Sequence, residues 1–180
     1  MERKHIITLY TLGLVALMGA VLISAVYFEV RSSFYQRIQE EQEDRMRVAW
    51  HVLKRRGEVF RIEDGKLMVG DTALNANNET VDEITALVSG VATIYQGEDR
   101  IATAFPLPGG NRAIGTRADC PEAVATVLRG EKPLRQQYVP LDLGERYLAA
   151  FDPIRDDQGN VIGMLEVATR MAPYSAALNN

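Results

Sequence analysis

The chain has 180 residues, 47% of them apolar, and a net charge of −4 from 20 basic and 24 acidic side chains. That acidic balance, with no basic stripe interleaved with aromatics, disfavours nucleic-acid binding. A single cysteine, Cys120, cannot form an internal disulfide, and His5 and His51 alone leave zinc ligation and a Ser-His-Asp arrangement without parts, so neither an enzyme nor a cofactor or metal is expected.

From Ile6 to Phe28 the chain carries no charge, after Met1-Glu2-Arg3-Lys4-His5 and before a strongly charged stretch. At about 1.5 Å per residue the run is roughly 34 Å long, enough to cross a bilayer core as a helix. It exceeds the apolar region of a secretory signal, and its best cleavage site, Ile23-Ser24-Ala25, is poor, so retention as a membrane anchor is expected. Arg3 and Lys4 favour an inside N-terminus, with the following domain translocated. Ala16, Ala20 and Ser24 at small-xxx-small spacing, then Val30, Phe34 and Ile38, predict a homodimer through this helix and its extension.

Glu29 to Arg56 lacks Gly and Pro and predicts a continuing helix ended by Gly57, with Met46, Trp50 and Leu53 facing the domain or a partner helix. Val59 to Ile62 and Leu67 to Val69 predict a hairpin around Asp64-Gly65. Asp71 to Asn78 reads as a polar loop, and Thr80-Val81-Asp82-Glu83 as the capping box of a short helix through Val88 closed by Gly90. Strands are expected at Val91 to Tyr95, Arg100 to Phe105 and Arg112 to Thr116, with a loop at Pro106 to Asn111. A second short helix runs from Asp119 to Leu128, with Pro121 in its first turn and Gly130 after its end. Strands at Arg135 to Val139, Arg146 to Phe151 and Val161 to Thr169 complete the domain. Short antiparallel strands with helices before and between them give an α+β fold. The expected organisation is an anchor over 1–28, one domain over 29–170 and a membrane-proximal segment over 171–180.

Three segments together carry a family resemblance: Ala92-Thr93-Ile94-Tyr95-Gln96-Gly97-Glu98-Asp99-Arg100-Ile101-Ala102-Thr103, Arg112-Ala113-Ile114-Gly115-Thr116, and Leu143-Gly144-Glu145-Arg146-Tyr147 continuing into Phe151-Asp152-Pro153-Ile154-Arg155-Asp156 and Gly159-Asn160-Val161-Ile162-Gly163. In order, spacing and position after a first apolar helix they resemble the single Cache sensor domains of bacterial chemoreceptors and sensor kinases. The resemblance implies a PAS-like antiparallel sheet behind a long N-terminal helix, on the outer side of the inner membrane. It further implies a small ligand, often an organic acid or amino acid, between the sheet and its covering loops. Ala104 stands where relatives often have Asn, and Ala149-Ala150-Phe151-Asp152-Pro153 where they often have Thr-Ala-Tyr-Glu-Pro. If those positions line the pocket, it is less polar here, and takes a more apolar ligand or none.

A carboxylate is best held by arginine's planar fork. Arg112, in the matching segment and beside the Gly109-Gly110 loop, is the first candidate; Arg100 and Arg146, each beginning a strand, are weaker ones. Strand alternation groups Ile101, Thr103 and Phe105 on one face, which makes Thr103 a candidate. Tyr95, Tyr138 and Tyr147 offer hydroxyls, and Gly115-Thr116 offers backbone amides. The function expected is ligand sensing at the input end of a chemoreceptor or sensor kinase. The chain ends at Leu178-Asn179-Asn180, where such a receptor would enter a second span, so an N-terminal fragment is expected. The competing reading is a membrane-tethered periplasmic module that binds another protein and no small molecule.

Overall fold

The computed structural model describes residues 2–171 apart from 108 and 143, and the side chains of these except 2–12, 30–38 and 142. The side chains at positions 30, 34 and 38 expected to pair between chains, those at the start of the apolar run, and the membrane-proximal segment from 172 onward therefore lie outside what is described. The chain divides into two compact units, 1–41 and 42–180. The first is helical, part of α1 (Glu2–Lys54). Its described apolar side chains from Leu14 to Phe28 are exposed. Among the described residues no helix is long and apolar enough to cross a membrane.

In the second unit the last turns of α1 bury Met46, Ala49, Val52 and Leu53, the stripe that a 3.6-residue period places on one face. The helix stops where Gly57 adopts a φ of 156°. A Cβ on Gly57 would lie 2.5 Å from both N and Cα of Gly70. The end of α1 thus touches the following hairpin backbone to backbone. That hairpin pairs β1 (Phe60–Glu63) with β2 (Lys66–Val69) across Asp64-Gly65, both at positive φ, as a two-residue hairpin turn requires.

The expected polar loop after it contains a strand. Gly70, at φ 55°, makes a tight turn, so that β3 (Thr72–Ala73) pairs back onto β2. Helix α2 (Asn78–Val88) is capped by Asn77, whose Oδ1 accepts from Thr80 N at 3.1 Å. Thr80 is therefore inside the helix, not its cap, and its buried hydroxyl has no partner among the described residues. The left-handed residue ending α2 is Ser89 at φ 50°, not Gly90. Gly90 is needed for another reason: a Cβ there would fall 2.8 Å from the Ala168 carbonyl oxygen.

The main sheet is antiparallel, in the order β5-β4-β8-β7-β6, from β4 (Val91–Gln96), β5 (Asp99–Thr103), β6 (Leu134–Tyr138), β7 (Tyr147–Arg155) and β8 (Val161–Arg170). One face, with Ala92, Ile94, Ala102, Ala150, Leu165 and Val167, packs on α1 and α2. The other face carries Tyr95, Met164, Ala168, Phe151 and Ala149 beneath the segment from Ala104 to Arg129 and the 3-10 turn Pro140–Asp142. Within that cover no strand forms at Arg112 to Thr116. Gly115, at φ 81°, turns the chain, and only isolated bridges join Pro106 to Arg112 and Asp99 to Arg117. The expected second helix is a single turn, α3 (Pro121–Ala123), that widens into a π-helical turn over Val124–Arg129.

The α-helical side is tied to the sheet by polar contacts as well as packing. Arg135 on β6 donates to both carboxylate oxygens of Glu43, at 2.7 and 3.0 Å, and to Asp152 Oδ1 at 2.8 Å. Trp50 Nε1 donates to Asp152 Oδ2 at 2.7 Å. On the central strand, Thr169 Oγ1 accepts from Gln42 Nε2 at 3.2 Å and from Arg45 at 2.8 Å.

Gly163 on β8 sits where a Cβ would fall 2.1 Å from the Tyr95 carbonyl oxygen. Gly163→Ala must push β4 and β8 apart, a cost of about 2–3 kcal/mol or more. Gly97→Ala, in open surroundings at φ 55°, meets only backbone strain of about 1 kcal/mol. Chemical denaturation of the two variants should separate them in that order.

Candidate functional site

The polar residues under the cover owe their meeting to one irregularity. β4 pairs Ile94 with Ala102 but Tyr95 with Arg100, which leaves Ile101 as the extra residue of a β-bulge. A bulge reverses the alternation of side chains beyond it. Ile101 accordingly packs on the helical side, and Arg100 turns to the covered face with Thr103 and Tyr95. This corrects the grouping of Ile101 with Thr103 and Phe105.

Arg100 has no solvent exposure. Its Nη1 donates to Thr116 Oγ1 and to the Arg117 carbonyl oxygen, each at 2.9 Å, and its Nη2 pairs with Asp119. The guanidinium lies 5.3 Å from the centre of the Tyr95 ring, in reach of a cation–π attraction. Nε is buried without a partner among the described residues. Burial opposes the charge of Arg100, but Tyr95, Asp119 and Glu166 outweigh it and hold the pKa above that of an ordinary arginine.

Glu166, in the middle of the central strand, is also completely buried. Its Oε2 accepts from the Tyr95 hydroxyl at 2.8 Å and its Oε1 from the Tyr138 hydroxyl. Burial raises its pKa, against the opposing pull of Tyr138, Arg100 and Tyr95. Desolvation and the neighbouring Glu166 raise both phenols, so Tyr95 and Tyr138 stay protonated donors. Thr93 and Thr103 share a hydrogen bond of 2.8 Å beside this group, and Thr103 Oγ1 also accepts from Phe105 N at 3.1 Å.

Of the residues singled out in the sequence, Arg100, Tyr95, Thr103, Thr116 and Tyr138 come together here. Tyr147 lies in the same apolar layer, its ring 5.4 Å from Phe105 in a T-shaped contact, but its hydroxyl accepts from Arg170 Nε at 3.0 Å. Arg112 stands apart. Its guanidinium donates to both oxygens of Asp82 on α2, at 2.8 and 2.9 Å, and to the Thr103 carbonyl oxygen at 3.1 Å, pinning the cover loop. Arg146 is exposed. Cys120 is buried, accepts from Gln136 Nε2 at 2.6 Å, and has a thiol pushed up to about 11 by burial, which keeps it neutral.

Sequence reasoning missed Glu166 and gave Asp119 only a place at a helix start. The signal for Glu166 was present: it is the single charge in Gly163-Met164-Leu165-Glu166-Val167-Ala168, at the same parity as Met164 and Ala168. Asp119 gave none, since an acidic residue just before Pro121 is an ordinary helix start.

Because folding raises the pKa of Glu166, the native state holds this proton more tightly than the unfolded chain does. Glu166 therefore supports stability below its ordinary value of 4.5 and costs stability as pH rises through the folded pKa. Glu166→Gln should melt close to the parent near pH 4 and progressively above it toward pH 7, each kcal/mol appearing as about 2–4 °C. A difference in melting temperature that stays flat across this range would sink the assignment.

Residues 72–180 match the family described as single cache domain 3. No curated protein matches the sequence. Among solved structures, an extracellular ligand binding receptor from Desulfohalobium retbaense is similar over 77% of this chain and 24% of its own length, at 13% identity and a TM-score of 0.50. Looser likenesses are to the ligand-binding domain of the Pseudomonas aeruginosa amino acid chemoreceptor PctC, in complex with GABA (18% identity, 84% of this chain, 63% of that one, TM-score 0.49), and to the E. coli DcuS sensor domain (10%, 57%, 72%, 0.46). With its N-terminal helix, antiparallel sheets and family match over most of its length, the chain belongs to the single Cache domain family.

Proposed function

We propose that this chain is the extracytoplasmic ligand-sensing domain of a membrane receptor, of the chemoreceptor or sensor-kinase type. The observation that carries the reading is the convergence of Arg100, Tyr95, Thr103, Thr116, Tyr138 and Glu166 on one face of the sheet, within an apolar layer under a covering segment. Few polar groups on an apolar wall are what a small-molecule site needs. A small organic acid or amino acid would enter between the sheet and the cover, its polar groups meeting the Arg100 and Glu166 cluster. Arg112 acts at the rim, either meeting a ligand carboxylate in place of Asp82 or holding the cover loop closed. A ligand shifts the domain between two states only by its difference in affinity for them.

The membrane part of the reading rests on the uncharged run from Ile6 to Phe28 and on its exposed apolar side chains from Leu14 to Phe28. Side chains so placed are stable in lipid and costly in water. Produced in a Gram-negative host, the chain should remain in the membrane pellet after carbonate washing, with residues beyond Phe28 accessible from the periplasm. A soluble periplasmic product shortened by the apolar run would refute the anchor.

Ligand binding is read by melting. A ligand at 100 times its dissociation constant stabilises the native state by about 2.7 kcal/mol. A screen of small organic acids and amino acids should give at least one such compound, and Thr116→Val should weaken its binding about tenfold. Arg112→Ala should leave the unliganded melting temperature within a few degrees. Loss of the compound with that variant assigns the contact to Arg112; unchanged binding assigns it to the Arg100 cluster. A screen with no stabilising compound would favour a tethered module that binds protein.

A further inference from the structure

Glu166 faces a closed set of groups. Tyr95 and Thr93 approach it from β4, Arg100 and Thr103 from β5, Phe151 from β7, Tyr138 from β6, and Asp119, Thr116 and Cys120 from the cover. The hydrogen bonds of this arrangement favour the ionised carboxylate, against the burial that favours the neutral one. An ionised carboxylate accepts from both phenols, one on each oxygen. Once a solvent proton binds Oε1, that oxygen becomes a donor facing the Tyr138 hydroxyl, whose own hydrogen then needs another acceptor. Among the described residues that hydroxyl is paired only with Glu166. Tyr95 is 1% exposed and lies under Arg100, so it cannot turn away. Tyr138, half-buried on the edge strand β6, can reach water.

β6 also carries the clasp on the opposite face. Arg135, three residues before Tyr138, holds Glu43 of α1, Asp152 and the Phe151 carbonyl oxygen, the last at 3.0 Å. The Phe151 ring packs against Tyr138 with centroids 5.8 Å apart. One short edge strand thus joins the buried carboxylate to the helix.

We propose that the proton is itself an input to this domain: its gain by Glu166 releases Tyr138 from the carboxylate and, through β6, loosens the grip of Arg135 on Glu43 and Asp152. The raised affinity of Glu166 for its proton, caused first by burial, puts the event above the ordinary carboxyl value of 4.5. The inference goes beyond the sensing of an organic ligand and does not require one.

The chain contains a single tryptophan, and that residue, Trp50, is bonded to Asp152 within the clasp. Its fluorescence in the full chain, held in detergent micelles with no organic ligand added, reads the proposed movement between pH 4 and 8. A His51→Gln background removes the imidazole next to it in sequence. The expected result is a reversible one-proton transition with a midpoint above 4.5, the ordinary value for the carboxyl. Glu166→Gln should abolish it. Tyr138→Phe, which keeps the carboxylate and gives up one hydrogen bond, should do the same while far-UV circular dichroism stays unchanged. A parent with no transition overturns the proposal, as does the same transition persisting in either folded variant. If Glu166→Gln fails to fold, Tyr138→Phe decides alone. A failed ligand screen would leave this result standing, and the reverse holds too.

Discussion

Glu166 is a carboxylate in the central strand of a sheet that is covered on both faces, and much of the surrounding architecture can be understood as what makes it tolerable. An isolated buried charge is prohibitively costly, so it must be paired, hydrogen-bonded or neutralised. Two phenols occupy its oxygens, and the Arg100 guanidinium supplies positive charge nearby. Arg100 in turn needs Asp119, Thr116 and the Arg117 carbonyl from the cover. The cover is therefore fixed electrostatically from inside as well as by apolar contact. Removing Asp119 would leave the Arg100 guanidinium buried without its counter-charge.

The bulge at Ile101 is the backbone condition for this chemistry. In a regular β5 the side chain of Arg100 would point to the helical side, among Ile94, Leu165 and Val167. One extra residue sends the apolar isoleucine there and the arginine to the polar group. The alternation of strand side chains makes a single insertion enough to exchange the two environments. A similar economy holds on β6 and β8, where residues three apart face opposite ways. Tyr138 and Glu166 serve the covered face, while Arg135 and Thr169 bond the helix.

Most of the fold was legible because its signals are local. The Asp64-Gly65 turn, the helix end at Gly57 and the strands around Gly97 and Gly159 follow from glycine placement and from alternation. Two of the misreadings share a cause, a side chain competing with backbone rules. Asn77 displaced Thr80 as the cap because its carbonyl reached Thr80 N first. Gly115 and the Thr116 hydroxyl folded a would-be strand into a turn. At the site, five of the residues chosen for hydrogen bonding do converge, yet Arg100 outranks Arg112 in burial, through a bulge that no residue-type pattern announces. Glu166 could have been found from its isolation among apolar neighbours; Asp119 gains its meaning only from the tertiary contact with Arg100.

The contact between Gly57 and Gly70 sets the mechanics of the helix. Because the two backbones meet more closely than any side chain would permit, the end of α1 cannot slide along the hairpin without opening that contact. It behaves as a fulcrum, and the helix before it as a lever arm. From Gly57 back to Gln42 the arm is roughly 22 Å at about 1.5 Å per residue. Small rotations at the fulcrum are thereby magnified toward Glu43 and Gln42, the residues that Arg135 and Thr169 hold. The clasps sit where the leverage is greatest, so weak polar bonds suffice to hold this last stretch of α1 against the sheet.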